Sequence, residues 1–379
     1  MKLLVIILLS LFFISCASEQ LSDPTPKDRL IYPVTVAINK DGNKLFVANS
    51  NFDLRYRGAS IVIIDLKTEK ILSEETKITD SFLSDIEVDN DESLLFVTSK
   101  DSGKLYAFDI AETSPYLSCD EDKSGKCAYY YTLQLSFDTP AAITLDRTRK
   151  LIYIAHKSDA SVSIVKYEKK NNKLSLRLLK SFIVSNLTGN ASDIEYNKEL
   201  DQVFVSSDYT KYVVPFKPMI DYYGNINKIK YFPLIKVTNR ALLLTSYSQV
   251  EDISFFEDKM FLSISNPASI SILTKHKNSE GDTFAFEKSI YTDYFPVRTL
   301  CTDDGICLTS LYESRKLAVI DINKGVLLSN LDINKRGYDM TYSSIKKEIY
   351  VTLFVDNSIL VLNVDPNSPT FLQIKNLIY

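Results

Sequence analysis

The sequence predicts an all-β fold, a seven-bladed β-propeller of four-stranded antiparallel blades, and three observations lead there. One apolar run recurs seven times along the chain: KLFVANS (44–50), LLFVTSK (94–100), LIYIAHK (151–157), QVFVSSD (202–208), KMFLSIS (259–265), ICLTSLY (306–312) and EIYVTLF (348–354). A second apolar run follows every copy, as in SIVIIDL (60–66), KLYAFDI (104–110), KLAVIDI (316–322) and SILVLNV (358–364). Turn residues precede the first run, among them Asn39-Lys40-Asp41-Gly42, Asp89-Asn90-Asp91 and Thr302-Asp303-Asp304-Gly305. Asp, Asn and Gly either tolerate positive φ or bond their own backbone, so they join antiparallel strands tightly.

A further run sits before each turn: VTVAI (34–38), DIEVD (85–89), AITLD (142–146), DIEYN (193–197), DISFF (252–256), RTLCT (298–302) and DMTYS (339–343). A fourth, more variable run closes each unit, for example KILSE (70–74), YYYTLQLSF (129–137) and TFLQIKN (370–376). Four short strands thus recur at intervals of about 50 residues, the period of a propeller blade. One such sheet cannot bury both of its apolar faces, so copies must stack around an axis. A linear β-solenoid has shorter rungs and lacks meanders joined by tight turns. Insertions at 111–128, 218–248 and 276–288 break the period. Closure of the ring has two solutions. Either TFLQIKN is the last blade's own outer strand, or Arg29 to Tyr32 pair with that blade and latch it.

Composition narrows the function. Of 379 residues 45% are hydrophobic, enough for a large core, and the net charge is −4. No basic field of the kind that binds nucleic acid is present. Trp is absent and there are only 10 Gly, whereas Tyr (23) and Phe (20) suit strands.

The chain begins MKLLVIILLSLFFISCASEQ. Lys2 is a short positive region, and the apolar run Leu3 to Ile14 falls short of the roughly 20 residues a membrane-spanning helix needs. It fits the apolar core of a signal peptide. With Phe13-Ile14-Ser15-Cys16 after it, the segment resembles a bacterial lipoprotein signal, with Phe13 where such signals usually carry Leu. That resemblance implies a signal peptide over 1–15 and a lipidated Cys16 as the new N-terminus. Residues 16–28 then read as a polar, proline-containing tether, and 29–379 as one propeller domain. Ala17 stands where Asp retains many such proteins at the inner membrane, so the resemblance favours the outer membrane of the cell envelope.

Four other cysteines remain, and export permits disulfides. Cys119 and Cys127 flank DEDKSGK, and Cys301 and Cys307 flank TDDGI, so spacing favours two local bridges. Against the first unit, Cys301 takes the place of Ile38 and Cys307 that of Leu45, positions that face each other across a hairpin. Cys119–Cys127 would restrain the long insertion in the second unit.

LFVANS with SIVIIDLKTEK, and IYVTLF with SILVLNVD, resemble the YVTN-type repeats of bacterial and archaeal seven-bladed propellers found in surface-layer and periplasmic proteins. The resemblance covers residues 30–379 and implies the fold. Its functional implication is a binding or surface module.

Candidate site residues come from the start of the innermost strands. The aligned positions there are Thr35, Asp85, Ala142, Asp193, Asp252, Arg298 and Asp339. One reading has each Asp accepting loop amides as the chain turns into its blade. The other is a polar ring at a channel mouth, able to bind a polar ligand or a cation, with Ca²⁺ the one candidate cofactor. Residues after the next strand, Asn49, Lys100, His156, Asp208 and Phe354, are expected on the opposite face. His156 and His276 are too far apart in the chain to form a metal cluster and read as surface histidines. Tyr129-Tyr130-Tyr131, Tyr222-Tyr223 and Tyr291 to Phe295 are packing residues or a partner patch. No Gly-rich phosphate loop, nucleophile elbow or HExxH occurs. The sequence therefore favours a membrane-anchored module for a protein or glycan partner over an enzyme. The alternative is a hydrolase resembling the lactonase propellers, using Asp85, Asp193, Asp252 and Asp339.

Overall fold

In the computed structural model, seven antiparallel sheets form a ring, each a meander in chain order from the axis outward. The structure describes residues 22–119, 131–171, 173–209, 212–237, 249–279 and 281–379. The innermost strands are Pro33–Ile38, Leu83–Asp89, Pro140–Asp146, Ala191–Asn197, Gln249–Phe256, Pro296–Cys301 and Gly337–Ser343. Each pairs with the strand that carries the recurring apolar run, for example Leu94–Ser99 and Glu348–Leu353. Those second strands are buried along their length, because neighbouring blades cover both faces. Burial on two sides is why they read as unbroken apolar runs.

The core lies between blades. One cluster joins Phe46 and Ile61 of blade 1 to Leu95 and Phe108 of blade 2. Another joins Tyr153 and Val162 of blade 3 to Val205 and Phe216 of blade 4. Ring closure uses the same device, with Val36, Leu45 and Val62 of blade 1 against Tyr350, Ile359 and Ile378 of blade 7.

Outer strands match the sequence less closely. In blades 1, 2 and 4 the fourth strand is split in two, as with Lys70–Ile71 and Lys77–Thr79. The region 276–288 is an extension of blade 5's outer hairpin, Ala268–Asn278 with Gly281–Tyr291. Blade 7 supplies its own outer strand, but at Ile374–Ile378, with residues 370–372 in the turn before it. Arg29 to Tyr32 do not add a strand to that blade. Leu30 instead packs into the cluster between blades 7 and 1, and the Tyr32 amide donates to Asn357 Oδ1 at 2.7 Å.

The bridge Cys301–Cys307 is formed, with Cα atoms 4.0 Å apart across the inner hairpin of blade 6. The two residues are direct cross-strand partners, like Ile38 and Leu45 in blade 1. Cys119 is disulfide-bonded, and Cys127 lies outside the described residues, as do Cys16, the signal segment, Tyr129 and Tyr130.

Candidate functional site

Every inner strand slips register beside the aligned ring position, for example between Pro140 and Ala142, Ala191 and Ile194, and Gly337 and Met340. A bulge takes backbone groups out of the ladder. The carboxylate of one blade meets the amide just past the ring position of the next. Asp85 Oδ2 accepts from the Ile143 amide at 3.0 Å, and Asp193 Oδ2 from Ile253 at 2.7 Å. Asp252 Oδ2 accepts from Thr299 at 2.8 Å, and Asp339 Oδ2 from Val36 at 3.0 Å. Asp85 also accepts the amide of its own neighbour, Ile86 N to Oδ1 at 3.0 Å, but the bond shared by all four Asp is the one to the next blade. Four of the blade junctions are clamped by carboxylates, the last of them closing the ring.

The remaining oxygens converge on one guanidinium. Arg298 Nη1 lies 2.9 Å from Asp252 Oδ1 and 3.3 Å from Asp193 Oδ1. Its Nη2 is 3.5 Å from Asp85 Oδ1, and its Nε 3.5 Å from Asp339 Oδ1. Thr35 adds a hydroxyl donated to Asp339 Oδ2 at 2.7 Å. All four Asp are buried, so the ring is an internal layer across the channel rather than an open mouth.

Burial sets the protonation of this layer. It raises the Asp85 carboxyl to about 6 and that of Asp252 to about 7, with Arg298 opposing in both. For Arg298 burial disfavours the charge, but Asp85, Asp193, Asp252 and Asp339 outweigh it and hold its pKa well above the ordinary value. Four carboxylates around one cation carry excess negative charge, and proton uptake relieves it.

Two further acids were missed by the sequence reading. Glu87 and Glu195 sit two residues beyond Asp85 and Asp193, on the same face of their strands. The repeated Asp-Ile-Glu in DIEVD and DIEYN was the available signal. Both line a cavity of about 380 Å³ that runs from the Arg298 layer past Ser254 and Thr341 to Asn90 and Phe255. Burial pushes Glu87 up to about 7, and burial followed by Glu87 raises Glu195 well above the carboxylate range. Thr144 donates to Glu195 Oε2 at 2.6 Å, and Arg147 lies 3.4 Å from Glu87 Oε2. Among the described residues no group of three or more His, Cys, Asp or Glu is arranged to hold a metal ion.

The register corrects the assignment of faces. Asn49 pairs with Pro33, and His156 with Pro140, so the residues after each second strand lie on the same face as the starts of the inner strands. We call this the ring-side face and the other the hairpin face. His156 is fully buried, unlike the surface residue expected. Its Nδ1 lies 3.1 Å from the Asp138 carbonyl and its Nε2 2.9 Å from Ser163 Oγ, and burial pushes its pKa down to about 4. His276 is exposed on the outer hairpin. Burial, with Lys157 adding and Asp85 opposing, lowers the pKa of Lys100 to about 8.

Fold and site together define a seven-bladed propeller whose channel is crossed by an ion-paired layer. No family model matches the chain, and no curated protein matches it. Solved structures do. Hydrazine synthase of Kuenenia stuttgartiensis is similar over 93% of this chain and 99% of that one, with TM-score 0.62 and 11% identity. The Swd1 β-propeller domain of Myceliophteria thermophila is similar over 88% and 96%, with TM-score 0.61 and 11% identity. Virginiamycin B lyase from Staphylococcus aureus is similar over 86% and 92%, with TM-score 0.56 and 13% identity. At these identities the likeness is one of fold.

Proposed function

We propose that this protein is a binding module of the bacterial cell envelope, a YVTN-type propeller anchored by a lipid on Cys16, in the outer membrane, and offered to a protein or glycan partner. One observation carries the reading. Arg298 occupies the point on which the four ring carboxylates converge, the place a divalent cation would take in the cation-bound form of the hydrolase alternative. The ring's hydrogen-bonding capacity goes to holding blades together, which leaves recognition to the faces. On the hairpin face Tyr222 and Tyr223 are 97% and 81% exposed. They border a groove of about 500 Å³ with Arg177 and Glu168, beside an Arg149 already paired with Asp146 and Asp201, a setting of exposed rings and mixed charge suited to a glycan or peptide. A photo-crosslinking amino acid at 222 or 223 in cells should yield one discrete adduct that a probe at Val326 does not. Identical smears from all three positions would sink the reading.

A second reading keeps one specific support. Glu87 and Glu195 face a cavity and hold protons near neutral pH, as a general acid must. Ester, lactone or glycoside turnover that Glu87→Gln and Glu195→Gln both abolish would establish it.

A further inference from the structure

We infer that the ring-side face over blades 7, 1 and 2 rests on the membrane surface, with Phe52 and Leu54 entering the boundary between headgroups and acyl chains. This rests on the lipid-anchor reading and adds an orientation to it.

The first support is how residues 22–28 are bound to blade 1. Ser22 and Asp23 lie along the 51–58 loop of blade 1. The Asp23 amide donates to the Arg55 carbonyl at 3.1 Å, the Arg57 amide to the Asp23 carbonyl at 3.0 Å, and Arg57 Nε to the Ser22 carbonyl at 3.0 Å. Thr25 donates to the Gly58 carbonyl at 3.0 Å, and Thr76 to the Lys27 carbonyl at 2.8 Å. Much of the expected tether is thus bound to the ring-side edge. Six peptide steps from Cys16 to Ser22 span at most about 20 Å. A compact domain of this size has a radius of gyration of about 20 Å and so is about 50 Å across, more than that leash can span to let the hairpin face meet the bilayer.

The second support is what this face carries. Asn51 shapes the loop from within, its Nδ2 donating to the Tyr56 carbonyl at 2.8 Å and its Oδ1 accepting the Tyr56 amide at 3.2 Å. The loop then holds Phe52 and Leu54 outward, 57% and 53% exposed. Phe52 sits among Tyr32, Phe82 and Phe354, with ring centroids 5.7–6.2 Å away. Tyr338 continues that aromatic surface from Phe354 at 5.9 Å. Asp53 stands between Phe52 and Leu54 and is neutralised by Arg55, whose Nη2 lies 3.1 Å from its Oδ2, and Arg57 follows. Two outward apolar side chains with aromatic neighbours, an internally paired acid and a following Arg match the chemistry of a membrane interface.

The chain has no Trp, so a single introduced Trp reports its own surroundings. Full-length protein with Phe52→Trp, Leu54→Trp or Tyr222→Trp would be purified from membranes. Each would be reconstituted into phosphatidylethanolamine–phosphatidylglycerol vesicles with and without acyl-brominated phospholipid. The expected result is at least twofold quenching and a blue shift at 52 and 54, with neither at 222. If all three float with the vesicles and 52 and 54 are quenched no more than 222, the orientation is wrong and the anchor stands. A blue shift at 52 without bromine quenching means a second copy or a protein covers the face, which also overturns it. Protein that does not float at all overturns both readings. If Cys16→Ser floats equally well and 52 is still quenched, the face binds lipid and the anchor reading falls.

Discussion

Asp252 divides its oxygens between two partners, Arg298 at Oδ1 and the Thr299 amide at Oδ2, and Asp193 does the same with Arg298 and Ile253. Removing the shared cation should therefore hurt more than removing one clamp. Arg298→Met leaves buried carboxylates uncompensated and should cost about 3–5 kcal/mol in urea unfolding at pH 7. Asp193→Ala leaves the Ile253 amide without its acceptor and should cost about 1–3 kcal/mol, and Asp193→Asn less, since an amide oxygen still accepts. Protonation gives this layer a pH signature. Burial pushes the carboxyls of Asp85, Asp252 and Glu87 up to about 6, 7 and 7, above the ordinary carboxylate range of about 4. Folded protein therefore binds protons that unfolded protein has released, and these groups make stability fall as pH rises from about 4 to about 7. Each such proton contributes a slope of about 1.4 kcal/mol per pH unit, so Asp252→Asn should flatten the curve by up to that amount. Unfolding curves at pH 5 and 7 measure it. The acids and Arg298 were visible in the sequence as aligned positions. Their convergence was not, because Arg298 and Asp85 stand 213 residues apart and only the closed ring brings them together.

Strands were legible in proportion to how their burial marks the sequence. The second strands, covered on both sides, read as unbroken apolar runs, and KLFVANS ends within a residue of Lys44–Asn49. Outer strands are half exposed and carry no such mark, which is why TFLQIKN was read four residues ahead of Ile374–Ile378. Bulges at the ring were invisible, since a register slip leaves no compositional trace. Alignment did place Cys301 against Cys307, because hairpin partners keep fixed offsets across copies. That bridge closes a short loop, so its stabilisation through the unfolded state is modest, about 2 kcal/mol. Replacing both cysteines by Ser should lower stability by that amount and leave the far-ultraviolet circular dichroism of the sheets unchanged.

Among the described residues the ring closes through side chains and one carboxylate clamp, with no strand exchanged between blades 7 and 1. Leu30 fills the junction of blades 7 and 1, so Leu30→Ala should cost about 2–5 kcal/mol by leaving a cavity there. Deleting residues 370–379 removes blade 7's outer strand and should leave the chain unable to form a stable ring, as read by loss of the cooperative thermal transition. Seven copies made the architecture readable from sequence, whereas the choice between two closures depended on packing around Leu30 and Tyr32 that no repeat encodes. The channel's carboxylates lock blades together around Arg298. Calorimetric titration of wild-type protein with Ca²⁺ probes whether Arg298 holds that point against a cation. No saturable heat is expected up to about 1 mM, the weak end of protein calcium sites. Saturable binding at one Ca²⁺ per chain that disappears in Asp252→Asn would contradict it.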